Sequence, residues 1–393
     1  MKRLSSYEKN QRDKYSKRTW QNSLSRAGKS YNRFKIYSKP VVKGLDSSAT
    51  SHVFVPEKLC IYVRNAKKIY SNYTETVNFI NSLSTVKGKS KVIIDFSKTY
   101  QITAPVVLML YAAIDVIPIE ERPKIQIIFS KVKQRVNVLL KVSGFHSLCR
   151  GQKLKPDFSG DKALSVVSGV GGKYRDEIVD FIQHRAYKNK MDPDTEWIYG
   201  DAVQETINNV RLHAYPEKDE RDKKWWLLCE IIDSQLFLTI YDQGIGIPKT
   251  VTDRDWFLQS FEAEYPDTYK EILDDVTRIG IEKGVLPSIK HKIMLVKKWT
   301  DPQLVYLSMI GDVSGTKKNK HGQGSKSIKA LVKSTDQGKL WVYSNEGVYL
   351  LENDRDAKDI DAEGKGIAIQ LPKALSGTLV QWNINLNENY QCN

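Results

Sequence analysis

The chain has 393 residues, 40% of them hydrophobic and 27% charged, the proportions of a globular protein of two ordinary domains and a tail. No uninterrupted apolar run is long enough to span a bilayer, and the segment Met1 to Lys9 has no apolar signal core. A cytoplasmic location without membrane contact is therefore expected, with Cys60, Cys149, Cys229 and Cys392, which form no C-x-x-C pair, as reduced thiols. The formal net charge of +15 favours association with polyanions.

Residues 1–44 are rich in Lys, Arg, Ser, Tyr and Asn, with poor apolar spacing. They read either as a solvated tail or as a basic arm that contacts nucleic acid or an acidic partner surface. Tyr7, Tyr15, Trp20, Tyr31 and Phe34 could stack on bases or pack the arm onto its own protein.

Residues 45–155 read as an α/β domain. Strands are predicted at Leu59–Val63, Lys91–Phe96 and Lys124–Phe129, and helices at Asn72–Leu83, Ala104–Ile117 and Val132–Val142. Thr103 and Pro105 suit the start of the second helix, and Gly144 the end of the third. Ile94-Asp95-Phe96-Ser97 and Val138-Leu139-Leu140-Lys141-Val142-Ser143-Gly144-Phe145 resemble segments of the STAS domain, the fold of anti-anti-sigma factors. That resemblance implies a protein partner. Members that are phosphorylated carry a Ser where this chain has Thr103-Ala104-Pro105, so a docking role is expected here in place of a phospho-switch.

In residues 156–393, Glu205, Asn209 and His213 fall at i, i+4 and i+8. As one α-helix they share a face, with Val203, Ile207, Val210 and Ala214 on the other. A carboxylate can orient and deprotonate a water, and an amide oxygen is a hard ligand suited to Mg²⁺. The strand Leu236 to Tyr241 then runs into Asp242-Gln243-Gly244-Ile245-Gly246. Helices are expected at Trp256–Ile279 and Pro287–Trp299, and another from Asp301, with Asp301 as N-cap and Pro302 at N1. Gly311 to His321 is polar and basic. Gly322-Gln323-Gly324-Ser325 opens an amphipathic helix, and Ser376-Gly377-Thr378 precedes a last strand.

These four motifs, in this order, resemble the boxes of the GHKL (Bergerat-type, histidine-kinase-like) ATPase superfamily. The spacing Glu-x-x-x-Asn-x-x-x-His-Ala-Tyr is most similar to the anti-sigma-factor kinase branch. The resemblance covers residues 156–393 and implies a two-layer α/β sandwich that binds ATP and Mg²⁺. It implies Asp242 as acceptor for the adenine amino group, and Gly244 and Gly246 as points of close approach to base and sugar. Asn209 is implied as the Mg²⁺ ligand, and Gly322, Gln323, Gly324 and Ser325 as phosphate-binding backbone. Thr378 would support Asp242 or a nearby water through its hydroxyl, Glu205 would be the general base, and a lid would lie at about 249–321. His213 would stand at the site's edge or simply pack.

The expected activity is that of a regulatory ATPase, a nucleotide-driven conformational switch acting on a partner. The alternatives are a serine/threonine protein kinase of the anti-sigma-factor type and a sensor that binds without hydrolysis. A dimer is compatible with each.

Overall fold

The computed structural model describes residues 50–63, 67–152, 155–159, 163–232, 234–254, 256–283, 299–310, 323–335, 337–353 and 366–386, with backbone alone at 67–70, 276–283 and 323. The expected basic arm, the helix over 287–298, the lid segment 311–321, Gly322 and Cys392 lie outside the described residues. The chain is mixed α/β, with one parallel and one antiparallel sheet of more than two strands.

The first layer holds β1 (Thr50–Phe54), β3 (Lys91–Asp95) and β5 (Lys124–Ile128), parallel and in the order β1-β3-β5. A two-residue parallel pair joins β2 (Lys58–Leu59) to β4 (Gln101–Ile102). Four helices accompany them: α1 (Lys67–Ser82), α2 (Ala104–Asp115), α3 (Gln134–Val142) and α4 (Phe145–Cys149). The strand expected at Leu59–Val63 stops at Leu59. The Cys60 N–H goes to Thr76 Oγ1 of α1, 3.0 Å away, so no ladder continues, although Ile61 and Val63 are buried. β1 went unpredicted. Thr103 takes the extended N-cap conformation of α2, but its hydroxyl is buried and caps nothing. Gly144 ends α3 with φ +83°, as expected of a glycine there.

The second layer is a five-stranded antiparallel sheet: β6 (Ala163–Val170), β7 (Lys224–Ile232), β8 (Gln235–Asp242), β9 (Gly338–Asn353) and β10 (Ile367–Asn385), in the order β6-β7-β8-β10-β9. One face carries α5 (Arg175–Arg185), α6 (Pro193–Asn209) and α11 (Gln323–Lys333). Ile178, Phe181, Val203, Ile207, Ile328 and Leu331 pack there on Trp225, Leu227, Leu238, Ile240 and Trp382. Asp192 caps α6, its carboxylate accepting from the N–H groups of Asp194 and Thr195.

The opposite face of the sheet is covered as well. Trp226, Leu228, Tyr241, Tyr343 and Leu379 belong to one continuous core with Tyr73, Val77, Leu108, Tyr111 and Phe145 of the first layer. Neighbouring strand residues point to opposite faces. The run Trp225-Trp226-Leu227-Leu228 is therefore apolar throughout because both faces are buried. α2 is apolar all round, with every side chain from Pro105 to Ile114 buried, and it packs against β7 and β8.

Asp115, the last residue of α2, ties the layers together. Its Oδ2 accepts from Trp226 Nε1 (3.0 Å), Lys224 Nζ (3.1 Å) and Ser168 Oγ (3.2 Å), while Arg122 Nη2 stands 3.7 Å from Oδ1. A carboxylate is poorly placed at a helix C-terminus, and the two cations offset that. Further links run from Tyr73 Oη to the Lys373 carbonyl (2.9 Å) and from Gln381 Nε2 to Tyr62 Oη (2.6 Å).

Between β8 and β9 lies a helical unit of α7 (Pro248–Val251), α8 (Phe257–Glu264), α9 (Pro266–Lys283) and α10 (Asp301–Ile310). Val251, Phe257, Phe261, Ile272, Leu304, Leu307 and Ile310 give it its own core. The single helix expected at Trp256–Ile279 is broken at Tyr265. Pro266 lacks an N–H and cannot continue the ladder of α8. α10 is opened by Thr300, whose N–H donates to Gln303 Oε1 (2.8 Å). The expected cap, Asp301, instead accepts the Glu346 N–H (2.9 Å).

Candidate functional site

A cavity of about 440 Å³ opens between α6, α11, the sheet and the helical unit. Its wall contains Glu205, Asn209, His213, Asp242, Gly246, Gly324, Ser325 and Thr378, together with apolar Ile240, Ile247, Val251, Met309, Ile328, Val342 and Val380. Residues from four separate motifs thus meet in one concave space of the size small ligands occupy.

The helix bearing Glu205 and Asn209 does not run on as a regular α-helix. α6 ends at Asn209, and Val210–Ala214 forms a π turn. The simple i, i+4, i+8 face is corrected at His213, since a π turn is wider than an α turn. Such turns recur at functional sites. Its end is locked by the Ala214 carbonyl, which accepts the Ile245 N–H of the glycine loop (2.8 Å). Val210 and Ala214 are buried as expected, His213 still lines the cavity, and Leu212 is exposed.

Asp242 ends β8, the central strand, between Trp225 of β7 and Thr378 of β10. It is 4% exposed. Burial pushes its carboxyl up to about 7, against the opposing pull of backbone hydrogen bonds from Gly244 and Thr378. The Gly244 N–H lies 2.7 Å from Oδ1. Thr378 therefore supports Asp242 through its main chain and not through its hydroxyl. That hydroxyl sits 3.2 Å from Ser344 Oγ, which accepts the Ile247 N–H (2.8 Å). Gly377, at φ +77°, is required beside them, because a Cβ there would overlap the Asp242 carbonyl.

The two glycines of the loop answer to protein neighbours. A Cβ on Gly244 would overlap the Ala214 carbonyl, and Gly244 is not part of the cavity wall. Gly246, at φ +86°, lines the cavity but faces Asn345 and Ser344 with its missing Cβ. Both glycines hold the loop against its surroundings, a role the expected approach to base and sugar did not include. Tyr215 helps: its hydroxyl accepts the Gln243 N–H (2.8 Å) and donates to the Lys224 carbonyl (3.0 Å).

At the other wall α11 begins at Gln323, with Gly324 against Glu205 and Ser325 in the cavity. Ser327 hydrogen-bonds to Asp201, fastening α11 to α6. A helix start of this kind presents backbone N–H groups and a positive dipole end.

His213 is held neutral at pH 7. Burial lowers its pKa to about 4, helped by the charges of Arg254 and, more weakly, Lys223, and opposed by a hydrogen bond with the Leu212 backbone. Arg254 and Trp256, from the turn between α7 and α8, line the cavity and were not foreseen. In sequence Arg254 lies between Asp253 and Asp255, a pattern that reads as a solvated turn. A large aromatic immediately after that turn was the one available signal.

Among the described residues no group of three or more His, Cys, Asp or Glu could hold a metal ion, and Cys60, Cys149 and Cys229 are buried free thiols. From α6 the cavity wall receives a carboxylate and a carboxamide one turn apart, Glu205 and Asn209. That set suits a hard cation that keeps most of its ligands from water and phosphate, as Mg²⁺ does. No helix among the described residues is long and apolar enough to cross a membrane.

No family model matches the chain, and neither a curated protein nor a solved structure matches it.

Proposed function

We propose that the chain is a Mg-ATP-binding regulatory ATPase of the GHKL type, with residues 45–155 as a STAS-like layer joined to its sheet. The observation that carries this is the single cavity in which Glu205, Asn209, Asp242, Gly324, Ser325 and Thr378 meet, although they are scattered over more than a hundred residues. The buried Asp242 carboxylate offers adenine an acceptor for its amino group, where guanine would present an oxygen. Apolar Ile240, Val342 and Val380 suit the faces of a base.

Asn209 would hold Mg²⁺, and the first turn of α11 would meet phosphate. A cation held there would supply charge neutralisation for the phosphates. Glu205, in the same wall, would be the base that orients water and takes its proton. The covered second face of the sheet supports a regulatory role, since strands β8 and β10 carry Asp242 and Thr378 on one side and contact the first layer on the other.

Incubation of the purified full chain with γ-labelled ATP and Mg²⁺ tests the reading. Free phosphate is expected, and it should be lost in Glu205→Gln while ATP binding persists. Label transferred to a protein would favour the kinase alternative, and binding without release a sensor. Absence of ATP binding overturns the assignment.

A further inference from the structure

The cavity wall contains two carboxylates, Glu205 and Asp242, and one cation, Arg254, among its described residues. A nucleoside triphosphate brings three to four negative charges into this space, and an arginine in the wall is a counter-charge for them.

Arg254 is well held for that task. Its N–H donates to the Val251 carbonyl and its own carbonyl accepts the Phe257 N–H, both at 3.1 Å. Val251 and Phe257 are buried in the core of the helical unit, so the turn between α7 and α8 is pinned on both sides. Arg254 makes no ion pair among the described residues, although Asp253 adjoins it in the chain. His213, on the turn that follows Asn209, feels its charge. Arg254 shares the cavity wall with His213 and with Asn209 and Glu205, the groups that the resemblance assigns to the phosphates.

We infer that Arg254 is the phosphate-reading residue of this cavity, its guanidinium pairing with the terminal phosphates of a nucleoside triphosphate. The inference rests on the proposed ATP site and adds a residue from outside its four motifs. A planar guanidinium matches two phosphate oxygens at once, and Lys cannot reproduce that fork. The helical unit between the glycine boxes would thereby distinguish a triphosphate from a shorter nucleotide.

The test is a calorimetric comparison of ATP, ADP, AMP and adenosine binding to the full chain and to Arg254→Gln and Arg254→Lys. In Arg254→Gln, ATP affinity should fall by about tenfold or more, ADP by less, and adenosine by no more than about twofold. Arg254→Lys should recover only part of the loss for ATP. An unchanged ATP affinity in Arg254→Gln overturns the inference, as does an equal loss for ATP and adenosine, which would make Arg254 part of the base pocket. A wild-type chain that binds adenosine but gains nothing from phosphates also overturns it, while leaving the Asp242 pocket standing. A wild-type chain that binds none of the four defeats the ATP site itself. His213 gives a check on folding and proximity: its NMR titration should move upward in Arg254→Gln, because a neighbouring positive charge is gone.

Discussion

Gly324 and Glu205 are packed so closely that a Cβ on the glycine would overlap Oε1 of the carboxylate. The first turn of α11 is in effect a wall against which Glu205 is set. The atoms in the way are the far end of a flexible side chain, so an added methyl displaces the carboxylate and leaves the fold standing. Gly324→Ala is expected to keep its thermal transition and most of its ATP affinity and to lose phosphate release by about a hundredfold, the scale of a misplacement near 1 Å. Unimpaired steady-state turnover in that variant would mean Glu205 is not the base.

Asp242 should make nucleotide binding pH-dependent. Its carboxyl is raised by burial from 3.8 to about 7, so between those values the folded chain holds a proton that the unfolded chain has lost. This contribution to stability is full below about pH 4 and fades as pH rises through about 7. A ligand amino group favours the carboxylate, so binding releases a proton. ATP affinity is expected to rise by about tenfold between about pH 6 and about pH 8. Calorimetry in buffers of different ionisation enthalpy measures the proton directly.

Asp242→Asn should abolish that pH dependence. It also turns an acceptor into a group that can present a donor to the adenine amino group, at a cost of about 2 kcal/mol or more in ATP affinity. Equal affinities for wild type and variant would remove Asp242 from the site.

Asp115→Ala should destabilise the whole chain. It leaves the Trp226 indole N–H and the Lys224 and Arg122 cations without their shared acceptor, a loss of about 2–4 kcal/mol. The core runs unbroken from α2 into the sheet, so the loss should appear as one shifted urea transition reported alike by near- and far-ultraviolet circular dichroism. Two separated transitions would show that the layers unfold independently.

Much of the cavity was legible in the sequence because its residues are chemically costly in their patterns. A stripe of Glu205 and Asn209 on a helix whose Val203 and Ile207 form core, and Asp242 at the end of an apolar strand, have few cheap explanations. The π turn at Val210–Ala214 was not legible, because one extra residue in a helical turn leaves the apolar spacing of Val210 and Ala214 intact. The loss of ladder after Leu59 depends on a Thr76 hydroxyl on another element. Arg254 and Trp256 join the cavity only because Val251, Phe257 and Phe261 fold into a core of their own. Hydrophobic periodicity announces that these residues are buried but does not announce what they pack against.

The doubly covered sheet also limits how the chain can be divided. Strands β7, β8, β9 and β10 present Trp226, Leu228, Tyr241, Tyr343 and Leu379 to the first layer. Cut free of residues 50–149, that surface would be a greasy plane in water, and the half bearing the cavity would clump on expression. Attempts to produce the nucleotide-binding half alone should therefore succeed only when the first layer is supplied with it, and a protease nick in the linking segment should leave the two pieces travelling together on a sizing column.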